Sequence, residues 1–394
     1  MPDPTRSSPA SVRRRALVAA CGAHAVHDGL TDVIYVLLPV WQAQFHLGYA
    51  MVGLLRGSYS ATMAGFQVLA SRIARRWGRK RMLVGGTAVA GLAFLLAGRA
   101  GSLATLMLAL VLGGLGASTQ HPSASSLVAD AHEEGRPVKE ALAQYNFAGD
   151  VGKTLFPGLV GLLLVVLSWR ASVTVMGLLA LAGAGLLGWL ISGGPAVAPQ
   201  GPAPAGLAAG RSRIRGMNPL LLTGVLDSAV RMGFLTFLPF LLQRRGAGTA
   251  ATGAALSLLF VGGAFGKLAC GYLGARIGMM RTVWLTELAT SLLILLILGL
   301  PLGGMMVTVP FLGLALNGTS SVLYGTVPEL AGPDRRNHAF ALFYTATIGG
   351  GALSPLLFGR LGDLVGISLA VVALAILLLA TLPLSWRVQK ALEA

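Results

Sequence analysis

Apolar stretches, each long enough to cross a lipid bilayer, occupy most of the chain. A spanning helix needs about 20 mainly apolar residues. Only 11% of the residues are charged, whereas a soluble domain carries about a quarter. The sequence therefore predicts an all-α polytopic membrane protein with twelve transmembrane helices. They cover roughly residues 16–44, 49–71, 82–99, 103–128, 139–167, 170–192, 217–243, 249–272, 281–301, 304–329, 337–360 and 364–386.

Lysine and arginine fall mainly on one side of the predicted membrane. Of the 30 basic residues, 21 lie beside the termini, the central linker and the connections on the same side. Four lie in the opposite connections and five lie within helices or at their edges. Cytoplasmic loops carry such an excess. We therefore expect a multi-pass protein of a bacterial inner membrane, with both termini cytoplasmic. The formal net charge of +16 is an orientation signal, and no nucleic-acid partner is expected.

The two halves of the chain repeat each other at an offset of about 200 residues. A segment rich in Gly, Pro and Ala (193–216) separates an N-terminal six-helix half (1–192) from a C-terminal six-helix half (217–394) and is predicted to be a cytoplasmic linker. Such repeats are typical of secondary transporters with a substrate site between the halves. The paired positions are Leu38 and Leu238, Pro39 and Pro239, Gly53 and Gly253, Arg76 and Arg276, Gly78 and Gly278, and Arg81 and Arg281.

The first predicted helix carries four ionisable residues, which are costly in a bilayer and therefore suggest function. At 100° per residue, His24, Asp28 and Tyr35 share one narrow stripe, and Asp32 lies close beside it. We predict that Asp28 and Asp32 bind and release a coupling proton, and that His24 tunes this site. The alternative is a polar cluster that only packs helices together.

Two further predicted helices each carry an acid and a base. Asp150 and Lys153 lie three residues apart, and Asp227 and Arg231 lie four apart. Each couple could be a self-paired structural feature. Alternatively, Lys153 and Arg231 attract an anionic or zwitterionic substrate. Asp227 stands close to the repeat position of Asp28.

Other polar residues in the predicted spans are candidates for substrate binding. His121 precedes Pro122, which breaks regular helical hydrogen bonding, so a packing kink is the alternative for this histidine. Arg56, two turns into the second helix, is expected to extend toward the outer surface, and the alternative is that it pairs with an acid of the first or eleventh helix. The remaining candidates for a substrate cavity are His27, Tyr35, Gln120, Tyr145, Asn146, Asn317 and Tyr344.

The sequence lacks the motifs of several other protein classes. It has no Gly-x-x-x-x-Gly-Lys-Ser/Thr run, no Gly-x-Ser-x-Gly and no His-Glu-x-x-His. We therefore expect neither ATP-driven transport nor an enzyme, and no cofactor. His24 and Asp28, one turn apart, could bind a metal together with His121, but no other His or Cys has ligand spacing. A resident metal is not predicted.

The segment Ser71–Arg81, SRIARRWGRKR, resembles the signature of the major facilitator superfamily. The usual form is Gly-x-x-x-Asp-Arg-x-Gly-Arg-Arg/Lys. Arg75 and Ala275 stand where the family has the acid that helps latch the cytoplasmic side. The resemblance implies a gating motif that lacks this acid in both copies. Its matching residues are Arg76, Gly78, Arg79 and Lys80, and in the second copy Arg276 and Gly278.

Three segments resemble the fosmidomycin-resistance-type exporters within that superfamily: HAVHDGLTDVIYVLLPVW, QHPSASSLVAD and YNFAGDVGKTLFPG. The resemblance implies proton-coupled export of a small organic substrate, anionic or drug-like, by alternating access. Alternatives are a proton-coupled uptake symporter, a metal-ion or metal-chelate exporter, and a non-transporting membrane sensor. A monomer is expected, since two six-helix halves already enclose a cavity.

Overall fold

The computed structural model describes residues 9–132, 136–191 and 216–393, and all regular elements in them are α-helices. Ten helical segments within these residues are long and apolar enough to cross a membrane. The helices are α1 (Pro9–Phe45), α2 (Tyr49–Trp77), α3 (Arg79–Gly98), α4 (Leu103–Ala117), α5 (Gln120–Ala131), α6 (Arg136–Val166), α7 (Trp169–Ile191), α8 (Met217–Arg244), α9 (Thr249–Ile277), α10 (Met279–Gly299), α11 (Leu302–Val365), α12 (Ile367–Leu379) and α13 (Thr381–Leu392).

The predicted polytopic helical fold is confirmed, although the helices divide differently in three places. The predicted fourth span consists of α4 and α5, and the predicted twelfth consists of α12 and α13. The predicted tenth and eleventh spans lie in the single continuous helix α11. The first two predicted spans are helical throughout, and they are less apolar because α1 and α2 carry buried ionisable residues.

The chain divides into two compact units. The N-unit contains residues 1–34 and 62–203, and the C-unit contains residues 35–61 and 204–394. Residues 35–61, in α1 and α2, thus group with the C-unit rather than with the rest of the N-terminal half. The predicted linker lies outside the described residues except for Gly216, which has a positive φ of 82° just before α8.

Glycines explain why residues 49–61, the first part of α2, group with α11 in the C-unit. A Cβ at Gly53 would collide with the main-chain carbonyl of Pro355, and one at Gly57 would lie 2.6 Å from the carbonyl oxygen of Ala352. The absence of side chains at these positions lets the two helix backbones approach closely, which is a common way to pack membrane helices.

The same backbone conformation recurs at two positions that the internal repeat pairs. Gly78 joins α2 to α3 with φ 91°, and Gly278 joins α9 to α10 with φ 89°. Glycine adopts this region readily because it has no Cβ. The two motif glycines therefore serve the same local purpose, a tight helix-to-helix connection in each half.

Each unit has its own apolar core. In the N-unit, Leu83, Leu127 and Leu187 are buried together. In the C-unit, Val283 and Leu323 are buried with Cys270, which is a free thiol packed as a small apolar side chain. Large apolar side chains are also exposed along the helices, as expected where lipid is the solvent. Examples are Leu162, Val165, Val166, Leu268 and Leu357.

Candidate functional site

Asp28 lies at the centre of a buried cluster in the N-unit. Its Oδ2 atom is 3.3 Å from Lys153 Nζ of α6 and 3.2 Å from His24 Nε2, one turn earlier in α1. Its Oδ1 atom is 3.7 Å from His27 Nε2. The Asp28 residue is 7% exposed. A buried charge needs such partners, because water no longer stabilises it.

The contact of His24 Nδ1 indicates which ring nitrogen carries a hydrogen. His24 Nδ1 lies 2.8 Å from the main-chain carbonyl oxygen of Tyr145, which can only accept a hydrogen bond. Nδ1 therefore carries a hydrogen, and a neutral ring would leave Nε2 as an acceptor. Because Nε2 faces an Asp28 oxygen, a favourable contact requires one more proton, on either the ring or the carboxyl group. In this arrangement the His24–Asp28 contact is favourable only with that proton present.

Aromatic contacts hold the three histidines in place. The His24 ring stacks on the Tyr145 ring with centroids 4.1 Å apart. His121 of α5 meets His24 and His27 edge-on, at 5.2 and 4.9 Å between centroids. Its Nδ1 atom is 3.5 Å from the Tyr145 hydroxyl oxygen. The cluster is therefore supported by side chains from α1, α5 and α6.

Two glycines of α6 bring Lys153 within reach of α1. A Cβ at Gly149 would lie 2.7 Å from Asp28 Oδ2, and one at Gly152 would collide with the main-chain carbonyl of Ala25. The three-residue spacing places both glycines on one face of α6. This close approach explains how a lysine on α6 pairs with an aspartate on α1.

The acid and base of α8 form a looser pair in the C-unit. Asp227 Oδ2 is 3.6 Å from an Arg231 guanidinium nitrogen, and a second nitrogen donates to Ser320 Oγ over 3.4 Å. Asp227 is 4% exposed, while the Arg231 side chain is 24% exposed. The predicted couple thus pairs with itself and opens to its surroundings at the guanidinium.

Arg56 does not extend to the surface as expected. It is 3% exposed and donates to Ser60 Oγ over 2.5 Å and to the Tyr35 hydroxyl over 2.9 Å. Its guanidinium also lies 4.4 Å from the centre of the Tyr35 ring. The sequence prediction was wrong because hydrogen-bonding and aromatic partners inside the C-unit replace the water that a snorkelling arginine reaches.

The other predicted residues of the N-unit differ in their exposure. Asp32 and Asp150 are buried, at 6% and 9%. Gln120 is 2% exposed, and its Nε2 atom has no hydrogen-bond partner among the described residues. Asn146 is exposed on α6. Lys153 has a carboxylate partner on another helix, Asp28, which the sequence spacing with Asp150 did not indicate.

The other predicted residues of the C-unit lie on α11. Asn317 donates from Nδ2 to the Gly313 carbonyl over 3.3 Å and lies where Gly263 of α9 leaves room for it, so its contacts are those of helix packing. Tyr344 is partly buried, with its ring centroid 6.1 Å from that of Tyr324.

The motif residues lie at the predicted helix connections. Arg76 is in the last turn of α2 and Arg79 begins α3. Arg276 is in the last turn of α9, with its guanidinium 4.5 Å from the centre of the Tyr272 ring. Their part in gating remains a prediction.

Sequence reasoning missed one buried acid of the C-unit, Glu287 of α10. It is 1% exposed, and its Oε1 atom has no hydrogen-bond partner among the described residues. Asp227 and Arg231 are its electrostatic neighbours. The signal was present in the sequence, because Glu287 is an ionisable residue within the predicted span 281–301.

Three groups of the N-unit cluster have the geometry of metal donors. His24, Asp28 and His121 each offer a ligand atom, and these atoms lie within 4.8 Å of one another. Imidazole and carboxylate are common zinc ligands. The Lys153 ammonium group lies on the same Asp28 oxygen and competes for it.

Solved structures with a similar fold are transporters. A bacterial homolog of the human lysosomal transporter Spinster, in an inward-facing, unoccupied conformation, has a TM-score of 0.80 and 18% identity, covering 98% of each chain. The nucleoside transporter NupG has a TM-score of 0.74 and 13% identity, covering 96% of this chain and 99% of its own.

Curated relatives share part of the sequence. The cephamycin export protein CmcT of Amycolatopsis lactamdurans is 33% identical over 170 residues, which are 43% of this chain and 35% of that protein. The multidrug resistance protein Stp of Mycobacterium tuberculosis (strain CDC 1551 / Oshkosh) is 32% identical over 139 residues, which are 35% of this chain and 26% of that protein. The matched regions thus span about a third of these relatives or less.

The family model described as Major Facilitator Superfamily matches residues 20–322 and 220–393. These ranges together cover nearly the whole chain and both copies of the internal repeat. Ten segments of the described residues are long and apolar enough to cross a membrane, and the chain belongs to the Major Facilitator Superfamily.

Proposed function

We propose that this protein is a proton-coupled exporter of a small organic substrate, anionic or drug-like, that works by alternating access. It resides as a monomer in a bacterial inner membrane, with both termini in the cytoplasm. Two relatives that match part of the chain, a cephamycin export protein and a multidrug resistance protein, support export. The resemblance of its first, fourth and fifth predicted helices to fosmidomycin-resistance-type exporters supports the same direction.

The observation that carries the proposal is the placement of His24 between the Tyr145 carbonyl oxygen and an Asp28 carboxylate oxygen, a contact that is favourable when the pair holds one proton. Both residues are buried among spanning helices, where an ionisable group is costly and therefore retained for function. Lys153 contacts the same carboxylate oxygen as His24. Loss of the proton from the His24–Asp28 pair would therefore strengthen the attraction between Asp28 and the Lys153 ammonium group. The cluster then has two charge states, one with the proton and one without it.

The charge of the substrate decides the sign of coupling at this cluster. A bound proton makes the cluster more positive, so it strengthens the binding of an anion and weakens the binding of a cation. The substrate changes the affinity for the proton by the same factor as the proton changes the affinity for the substrate, because the coupling between two binding sites is reciprocal. A cationic drug would accordingly displace the proton, as an antiporter requires. An anion would instead bind best to the protonated cluster and travel with the proton, as in the uptake alternative. Of the two substrate types proposed, a cationic drug is therefore the one whose export this cluster supports directly.

Purified protein in liposomes with an imposed pH gradient tests the proposal. Small organic anions, phosphonates and cationic drugs are added in turn while a pH-sensitive dye reports proton movement. We expect one class to trigger proton flux in the wild type and not in Asp28→Asn. Glu329→Gln, which changes an exposed carboxylate in the same way, should behave as the wild type. If no compound class triggers proton movement with the wild-type protein, in vesicles that hold their pH gradient, proton-coupled transport is refuted.

Export of a metal ion or metal chelate is the second candidate function, favoured by the three donor atoms of His24, Asp28 and His121. Its test is the thermal unfolding of the purified protein with and without divalent zinc. Metal-dependent stabilisation that is lost in His24→Ala and His121→Ala would support this function. Unchanged unfolding temperatures at millimolar zinc would refute it.

A further inference from the structure

The interior of the C-unit holds an acid with an unusual environment. Glu287 lies in the middle of α10 and is almost completely buried, at 1% exposure. Its Oε1 atom makes no hydrogen bond with any described residue, and neither does the Thr290 hydroxyl one turn later. An ionised carboxylate would leave a charge in the interior without a hydrogen bond on this oxygen, which is strongly unfavourable.

The nearby charges do not compensate for an ionised Glu287. Its electrostatic neighbours are Asp227 and Arg231, both on α8. Arg231 already pairs with Asp227 at 3.6 Å. Two carboxyl groups thus share one guanidinium, and the group is electrically neutral only when one of the two carboxyl groups carries a proton.

Among the described residues, Arg231 is the cation that acts electrostatically on Glu287, and Lys267 of the neighbouring helix α9 is not among the charges that do. Helix α12 contains no titratable residue, and α13 contacts α10 through Ser385, which accepts a hydrogen bond from Trp284. On α11, Tyr324 interacts electrostatically with the same Asp227 and Arg231. Cys270 of α9 lies in the apolar core. The charge balance therefore rests on the three residues Asp227, Arg231 and Glu287, which we call the acid–base triad.

We propose that Glu287 is a proton-binding site of the C-unit, and that it shares the single charge of Arg231 with Asp227. In this proposal the guanidinium, which lies 3.6 Å from Asp227 Oδ2 and has a side chain 24% exposed, turns toward Glu287. When it does, the proton leaves Glu287 and is taken up by Asp227 or by water, so the charge of the triad moves with Arg231.

Infrared difference spectroscopy of the purified protein tests proton binding without any substrate. We expect the spectrum of the wild type minus Glu287→Gln at neutral pH to contain the carbonyl band of a protonated carboxyl group. The control difference for Glu329→Gln, which alters an exposed acid, should contain carboxylate bands. Carboxylate bands for Glu287 as well would overturn the proposal.

Removing the competing acid tests the sharing of Arg231. If Glu287→Gln fails to fold, Glu287→Asp, which keeps a carboxyl group, assigns the band instead by shifting its frequency. In Asp227→Asn, Glu287 becomes the only carboxyl group of the triad and should ionise against Arg231. The protonated carboxyl band should therefore disappear at neutral pH in this variant. Persistence of that band at wild-type intensity would overturn the sharing.

The part that Glu287 plays in transport rests on the proton-coupled function proposed above. In the liposome assay, we expect Glu287→Gln to reduce substrate-driven proton movement about tenfold, which corresponds to a coupling within the usual range between two sites. A wild type that moves no protons would refute the proposed function while leaving the infrared result intact. Normal proton movement in the variant would exclude Glu287 from coupling.

Discussion

The buried ionic clusters of the two units are built differently. In the N-unit cluster, the Asp28 carboxylate is contacted by a lysine and lies among three histidines, and the buried acids Asp32 and Asp150 lie on the same two helices. In the C-unit, one arginine is shared by two acids. The sequence repeat places Asp28 and Asp227 at similar positions, yet their partners differ. A repeated backbone therefore does not fix the chemistry that its side chains build, and each half can hold a proton for a different reason.

The N-unit cluster should respond most strongly to loss of its cation. Lys153→Met leaves a buried carboxylate without its ammonium partner, and breaking such a pair costs about 3 kcal/mol. We expect a fall of this size in the unfolding free energy of the detergent-solubilised protein. Arg99→Met, which removes an exposed cation, is the control and should change little. Equal stability of the two variants would show that Lys153 does not hold the cluster together.

The second-largest effect should come from closing the gap between α1 and α6. In Gly152→Ala the new methyl group meets the Ala25 carbonyl, and such overpacking costs about 2 kcal/mol. The variant should therefore unfold at a lower temperature. Gly185→Ala is the matched control, since a Cβ there meets no atom within 4 Å. If both variants melt alike, the glycine contact is not what positions Lys153.

Arg56 is a buried cation that is held by neutral partners rather than by acids. Tyr35→Phe removes the hydroxyl that accepts from Arg56 and keeps the ring beneath the guanidinium, so it should cost about 1 kcal/mol. Thermal unfolding measures this loss. Tyr35→Leu should cost more, because it also removes the aromatic face. Equal effects of the two substitutions would assign the whole contribution to the hydroxyl.

The smallest effect is expected for Asp227→Asn, at about 0.5 kcal/mol or less, because Glu287 can replace Asp227 beside Arg231. The double variant Asp227→Asn with Glu287→Gln leaves the guanidinium without an acid. Its loss of unfolding free energy should exceed the sum of the single losses, as expected for coupled neighbours. Additive losses would show that the two acids do not share the arginine, and would remove the main contrast between the units.

The fold could be predicted largely from the sequence, because apolar length and the distribution of basic residues report on the membrane directly. Helix breaks were less predictable. Pro122 was expected to interrupt the fourth span, but the break falls just before Gln120. Pro122 therefore sits in the first turn of α5, where its missing N–H group is not needed.

The candidate site was predictable residue by residue but not as an arrangement. His24, Asp28, His121 and Lys153 stood out as ionisable or polar residues in apolar spans. The spacing of residues along one helix reveals only partners on that same helix. It therefore indicated Asp150 as the partner of Lys153 and not Asp28, which lies on α1. The burial of Arg56 was missed for the same reason, since the depth of a side chain within a bundle depends on the neighbouring helices.

The hydrogen bond from His24 to the Tyr145 carbonyl connects a side chain of α1 to the main chain of α6. A change in the charge of the imidazole alters how strongly its N–H pulls on that carbonyl. Gain or loss of a proton on the His24 ring thus changes the strength of a hydrogen bond to the α6 main chain. The bond therefore links the charge of one side chain of α1 to the position of the α6 backbone at Tyr145.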